Sequence, residues 1–132
     1  MNNNKDITSS IIIIGNEILS GRTQDKNTSA LAKWLNKKGI LLKEVRIVAD
    51  NINEIIYHVR ELKDKFNYVF TTGGIGPTHD DITAEAISVV FDQNYVYHKK
   101  AYQILENFYN KTVSNLLGSK ISLNHFLQIQ IF

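Results

Sequence analysis

The sequence predicts an α/β fold, a three-layer αβα arrangement on a mainly parallel sheet. Three observations predict it. Short β-branched apolar runs alternate three times with segments of helical period. Each run stops at turn or capping residues, and the third opens into a glycine-rich loop followed by acid. Strand-helix units in series require right-handed crossovers, which lay the strands parallel and cover the sheet with helices on both faces.

The first strand is Ile11 to Ile14, a continuous apolar run ending in Gly15, as expected of a strand buried on both faces. From Asn27 to Lys38, Ala30, Leu31, Trp34 and Leu35 fall at helical spacing. Asn27 or Thr28 serves as the cap, Gly39 stands just past the end, and Trp34 reads as a core residue. Ile40 to Ala49 is the second strand. Asn51, with Glu54 three residues later, opens a helix that carries Ile52, Ile55, Ile56, Val59 and Leu62 on one side. Tyr68 to Thr72 is the third strand, and Ala84, Ile87 and Val90 mark a third helix reaching about Phe91. Ala101, Tyr102, Leu105, Phe108 and Tyr109 give a fourth helix around Lys99 to Lys111. Near the end, Leu127, Ile129 and Ile131 alternate with glutamines as in a short strand.

Length and composition narrow the function classes. The 132 residues suit one domain, 1–132, with no internal repeat or dividing linker. Fifteen Lys and Arg against thirteen Asp and Glu leave a formal +2 spread along the chain, without the basic cluster that nucleic acid or anionic lipid requires. There is no cysteine, which excludes a disulfide framework, a thiolate metal site and a cysteine nucleophile. The apolar run at residues 11–14 is far short of the ~20 residues that span a bilayer. These features predict a cytoplasmic protein without nucleic-acid or membrane partners.

The chemistry concentrates in Thr71 to Asp81, TTGGIGPTHDD, which holds three glycines and the only proline. In a parallel sheet such a loop, leaving the carboxyl end of a strand and entering a helix, is where ligands bind. Glycines let peptide N–H groups approach an anion, and the positive end of the next helix helps hold it, so a phosphate is the expected occupant. Asp80 and Asp81 beside a phosphate call for a cation between them, and Mg²⁺ accepts such oxygen donors. The same residues also read as a sharp turn and a helix cap, the latter worth about 1 kcal/mol with no ligand at all. The spacing fits neither a Walker loop nor the dinucleotide fingerprint.

TTGGIGPTHDDITAEA, together with GNEILSGRTQDKN at Gly15 to Asn27 and VAD at Val48 to Asp50, resembles the molybdopterin-binding domain. That domain is shared by the MoaB and Mog proteins, gephyrin and the amino-terminal half of the competence/damage-inducible protein CinA, and the wording here is closest to the CinA branch. The resemblance covers about residues 11–91 and leaves 110–132 unmatched, as if the carboxyl end were truncated or divergent. It implies that Thr72, Gly73, Gly74, Gly76 and Thr78 line the phosphate cradle, with Thr83 and Glu85 at the helix start beneath it. It implies that Asp81 is the essential acid and Asp50 a second one, both catalytic and both toward the metal, with Asp80 dispensable. Gly15, Glu17 and Asp25 would form a first loop facing the same crevice. The implied ligand is molybdopterin or an adenine nucleotide, with Mg²⁺, in a homo-oligomer, a trimer by resemblance. A binding domain is the expected function. The alternatives are a Mg²⁺-dependent ADP-ribose pyrophosphohydrolase or molybdopterin adenylyltransferase, and an inactive truncated remnant.

Overall fold

A computed structural model of the chain describes residues 6–76, 81–96 and 99–113. The expected strand at 127–131, and Thr78 and Asp80 of the glycine loop, lie outside the described residues. In chain order the elements are β1 (Ile7–Ile14), α1 (Asn16–Leu19), α2 (Asn27–Lys37), β2 (Ile40–Val48), α3 (Ile52–Lys63), β3 (Tyr68–Thr72), α4 (Thr83–Val90) and α5 (Lys99–Val113).

Among the described residues the sheet has three strands in the order β2-β1-β3, all parallel. β1 is central because its side chains can be buried on both faces, and Ile11, Ile12, Ile13 and Ile14 are all buried. Fully burying an isoleucine stabilises the fold by roughly 1.5–3 kcal/mol, so this run dominates the core. β1 begins four residues before the isoleucines. Thr8 and Ser9 are polar in sequence, yet both hydroxyls are bonded: Thr8 Oγ1 donates to Asn67 Oδ1 at 3.2 Å and Ser9 Oγ to the Leu41 carbonyl at 3.3 Å.

The alternation of side chains divides the core between the two faces. Ile12 and Ile14 point with Val48 toward α3 and α4, where they meet Ile55, Val59, Leu62 and Ala86. The connection from β1 to β2 runs one way across the sheet, and the connection from β2 to β3 runs back past β1. Right-handed crossovers in opposite directions place α2 and α3 on opposite faces. α3 begins as predicted: Asn51 Oδ1 accepts from the amides of Asn53 at 2.9 Å and Glu54 at 3.3 Å.

Two expectations for α2 need correction. Its cap is Asp25, whose Oδ1 accepts from the Asn27 amide at 2.9 Å and the Thr28 amide at 3.3 Å, so neither Asn27 nor Thr28 is the acceptor. Trp34 is 52% exposed and not a core residue. Leu31 and Leu35, one turn apart, carry the inward stripe of the helix, and only Leu35 is fully buried. The indole at the flank of that stripe has Lys38 Nζ 5.9 Å from its ring centroid.

The outer edge of β2 is tied to α3 by a polar network. Arg46 Nε donates to Glu44 Oε1 at 2.7 Å, Arg46 Nη1 pairs with Glu61 and lies 2.7 Å from His58 Nδ1, and Lys65 Nζ reaches Glu44 Oε2 at 2.5 Å. Hydrogen bonds from Lys65 and then Arg46 hold the Glu44 carboxyl below the ordinary value of 4.5. Arg46 and then Tyr57 do the same for Glu61. Depressed carboxyl pKa values contribute stability above the unfolded value and lose it as pH falls through the native one. Arg46→Gln should therefore lower the denaturation midpoint at neutral pH, and the gap to wild type should close as acid protonates both glutamates. A gap of constant size down to the acid transition would mean that Arg46 acts through packing alone.

Candidate functional site

β1 and β3 are neighbours, but the chain leaves them toward opposite faces: from β1 to α1 and α2, from β3 to α4, which packs beside α3. An open α/β sheet has its ligand crevice where adjacent strands part company in this way, outside their carboxyl ends. A cavity of about 580 Å³ lies there. Ile13 and Ile14 of β1 and Thr72 and Gly73 of β3 form its floor, and the segment from Arg22 to Asn27 forms another wall, with Glu17 and Ile18 of α1.

The β3 side is packed to backbone contact. A Cβ on Gly73 would lie 1.8 Å from the Ile14 carbonyl oxygen, and one on Gly74 would lie 2.4 Å from Thr83 Oγ1. Both residues have positive φ, 91° and 58°. Thr83, buried at the start of α4, donates through Oγ1 to the Gly73 carbonyl at 2.8 Å and through its amide to the Gly74 carbonyl at 3.2 Å. The bare backbone thus first serves to seat the loop between β1 and α4, and Thr83 is the residue that pins it. Gly76 differs, because a Cβ there would meet the Asp81 carboxylate, 2.6 Å from Oδ2. The acid at the entrance of α4 lies directly over the uncovered Gly76 backbone.

The β1 side is held by a cross-strand latch. Asp50, just past β2, accepts the Asn16 amide through Oδ2 at 2.7 Å, and the Gly15 amide donates to the Val48 carbonyl at 3.1 Å. Glu17 folds back so that its carboxylate would touch any Cβ on Gly15, at 2.6 Å. Asp25 lines the cavity while its carboxylate caps α2, and hydrogen bonds from Thr28 and Asn27 hold its pKa below the ordinary value.

Thr72, Gly73, Glu17 and Asp25 therefore share the cavity, with Gly74 and Thr83 packed behind it, Gly76 and Asp81 paired beside each other, and Gly15 and Asp50 shaping the first loop. Glu85 is exposed on α4 and absent from the cavity wall. Arg22, Gln24 and Lys26 also line the cavity; they lie within the GNEILSGRTQDKN stretch, but only Gly15, Glu17 and Asp25 of it were expected at the crevice. Among the described residues no three His, Asp or Glu side chains converge to hold a metal ion. Mg²⁺ rarely needs such a cage, since it keeps several waters and is bound by one or two carboxylates plus ligand phosphates. Asp81 beside the glycine loop fits that role.

Residues 10–129 match the family described as "Probable molybdopterin binding domain". The chain belongs to the molybdopterin-binding domain family. The match continues well past residue 91, where the sequence motifs stop. This molybdopterin-binding domain is 36% identical over 119 residues to a "Putative competence-damage inducible protein" of Clostridioides difficile, covering 90% of the chain and 27% of that relative. It is 38% identical over 101 residues to a "Probable FAD synthase" of Caenorhabditis briggsae, covering 76% of the chain and 19% of that relative. The chain spans only about a fifth to two fifths of the curated relatives it matches, from 19% to 43%. Among solved structures, CinA of Thermoplasma acidophilum superposes with a TM-score of 0.73 at 30% identity, over 78% of this chain and 61% of its own. MoaB of Pyrococcus furiosus, a tungsten cofactor synthesizing protein, gives 0.59 at 24% identity over 85% and 66%, a likeness of fold. No described helix is long and apolar enough to cross a membrane.

Proposed function

We propose that this domain binds the phosphate-bearing end of molybdopterin or an adenine nucleotide in the cavity between β1 and β3, with Mg²⁺ brought to the phosphate by Asp81. The observation that carries the reading is the cavity itself. At about 580 Å³ it is of ligand size and sits at the point where the chain parts to opposite faces. Its wall includes Thr72, whose buried Oγ1 has no hydrogen-bond partner among the described residues. The family match favours a pterin, and the placement of Asp81 over Gly76 favours a ligand that arrives with a cation.

A ligand that binds only the folded chain stabilises it by mass action, by about 2.7 kcal/mol at a hundredfold excess over Kd, and so raises its melting temperature. Molybdopterin, ATP and ADP-ribose are each to be tested in a thermal-shift series with and without Mg²⁺. At least one should stabilise the chain, and more strongly with the metal. No shift with any of them would overturn the reading. Turnover is a second reading, supported by the same acid beside the same loop: release of AMP from ADP-ribose, or adenylyl transfer to molybdopterin, would show it.

A further inference from the structure

We propose that the loop between α1 and α2 carries a second anion-binding position, built on Arg22 with Lys26, for the second phosphate of a phosphoanhydride-linked ligand. The inference rests on the cavity being a phosphate site and deepens that reading by naming the ligand class. Four charged side chains line the cavity: Glu17, Arg22, Asp25 and Lys26. The two acids are directed elsewhere. Asp25 spends its carboxylate on the Asn27 and Thr28 amides, and the Glu17 carboxylate lies over Gly15. The two cations make no ion pair among the described residues.

Arg22 is also oriented. Its Nε donates to Ser20 Oγ at 3.2 Å, and Ser20 Oγ in turn donates to the Glu17 carbonyl at 3.3 Å. A guanidinium held by Nε keeps the four N–H groups of its terminal nitrogens, the fork that takes two oxygens of one phosphate. One phosphate at the Thr72–Gly73 wall would leave Arg22 and Lys26, on a separate loop of the same cavity, without a partner. A ligand with two linked phosphates engages both walls, whereas a monophosphate engages one.

The test is calorimetric titration of the full chain with AMP and with ADP, at fixed Mg²⁺, for wild type, Arg22→Gln, Arg22→Lys and Lys26→Gln. Arg22 is exposed, and unliganded melting temperatures should be unchanged. Wild type should prefer ADP. Arg22→Gln should weaken ADP binding about tenfold and AMP binding less than twofold, as expected for loss of a charged hydrogen-bond donor at one phosphate. Arg22→Lys should recover part of the loss, and Lys26→Gln should show a smaller one. Equal loss for AMP and ADP, or none for either, overturns the second position while leaving the phosphate site standing. If neither nucleotide binds wild type and molybdopterin does, the two-phosphate ligand class is overturned; if nothing binds, the phosphate-site reading falls and this inference with it.

Discussion

Gly73→Ala should unfold the domain or cost more than ~4 kcal/mol, the range reserved for severe steric and backbone lesions. The new methyl would lie 1.8 Å from the Ile14 carbonyl oxygen, inside any permissible contact, and the obstacle is backbone of the central strand and not a movable side chain. A further ~1–3 kcal/mol comes from holding a non-glycine residue at a φ of 91°. Relief requires parting β1 from β3, and those strands form both the sheet centre and the cavity floor. Gly21→Ala is the control. Its φ is 73°, but nothing lies within 4 Å of a Cβ there, so it should show the conformational cost alone, about 1 kcal/mol. Urea midpoints of the two variants, compared with wild type, separate the contributions. Similar midpoints would mean that the contact with Ile14 is easily relieved and that Gly73 is needed only for its dihedral angle.

The same residue shows what was legible in the sequence. The glycines announced a special loop, and the loop is special, but approach to a ligand was the expected reason and the structure gives a prior one: seating against Ile14 and Thr83. Sequence period reveals that a backbone must come close, not to what. β3 was legible to the residue because Tyr68 to Thr72 is bounded by polar residues and glycine, and α3 because Asn51 and Glu54 spell its start. The cap of α2 was misplaced because Asp25 reaches forward across Lys26, and any of several polar residues in that run could have done so. The cavity wall at Arg22 to Asn27 was legible only at Asp25, through the family resemblance. Its position depends on α1, a four-residue helix too short to nucleate alone or to show a period. That turn is held from outside, by Asp50 on Asn16, a contact between residues 34 apart in the chain.

Asp50 and Asp81 can be told apart on this ground. Asp50 directly follows β2, whereas Asp81 lies at the far end of the glycine loop after β3, at the entrance of α4. Asp50 Oδ2 is engaged by the Asn16 amide, whereas Asp81 stands over the glycine loop where a phosphate and its cation would sit. Asp81→Asn keeps the shape and removes the charge. It should therefore abolish the part of nucleotide or pterin affinity that depends on Mg²⁺, a loss on the order of a hundredfold if the carboxylate directs the cation with several kcal/mol of effect. Affinity without metal should stay the same or rise slightly, because a negative charge beside the phosphate has gone. Asp50→Asn should behave differently, lowering the unliganded melting temperature by weakening the latch and reducing affinity by a similar factor with and without Mg²⁺. Titrations of both variants in Mg²⁺ and in a chelator measure this. If Asp81→Asn lost affinity equally in the two conditions, its carboxylate would be holding the α4 entrance and not a metal. If the Mg²⁺-dependent loss instead appeared in Asp50→Asn, the cation would belong on the β2 side of the crevice, with the Asn16 latch giving way when ligand binds.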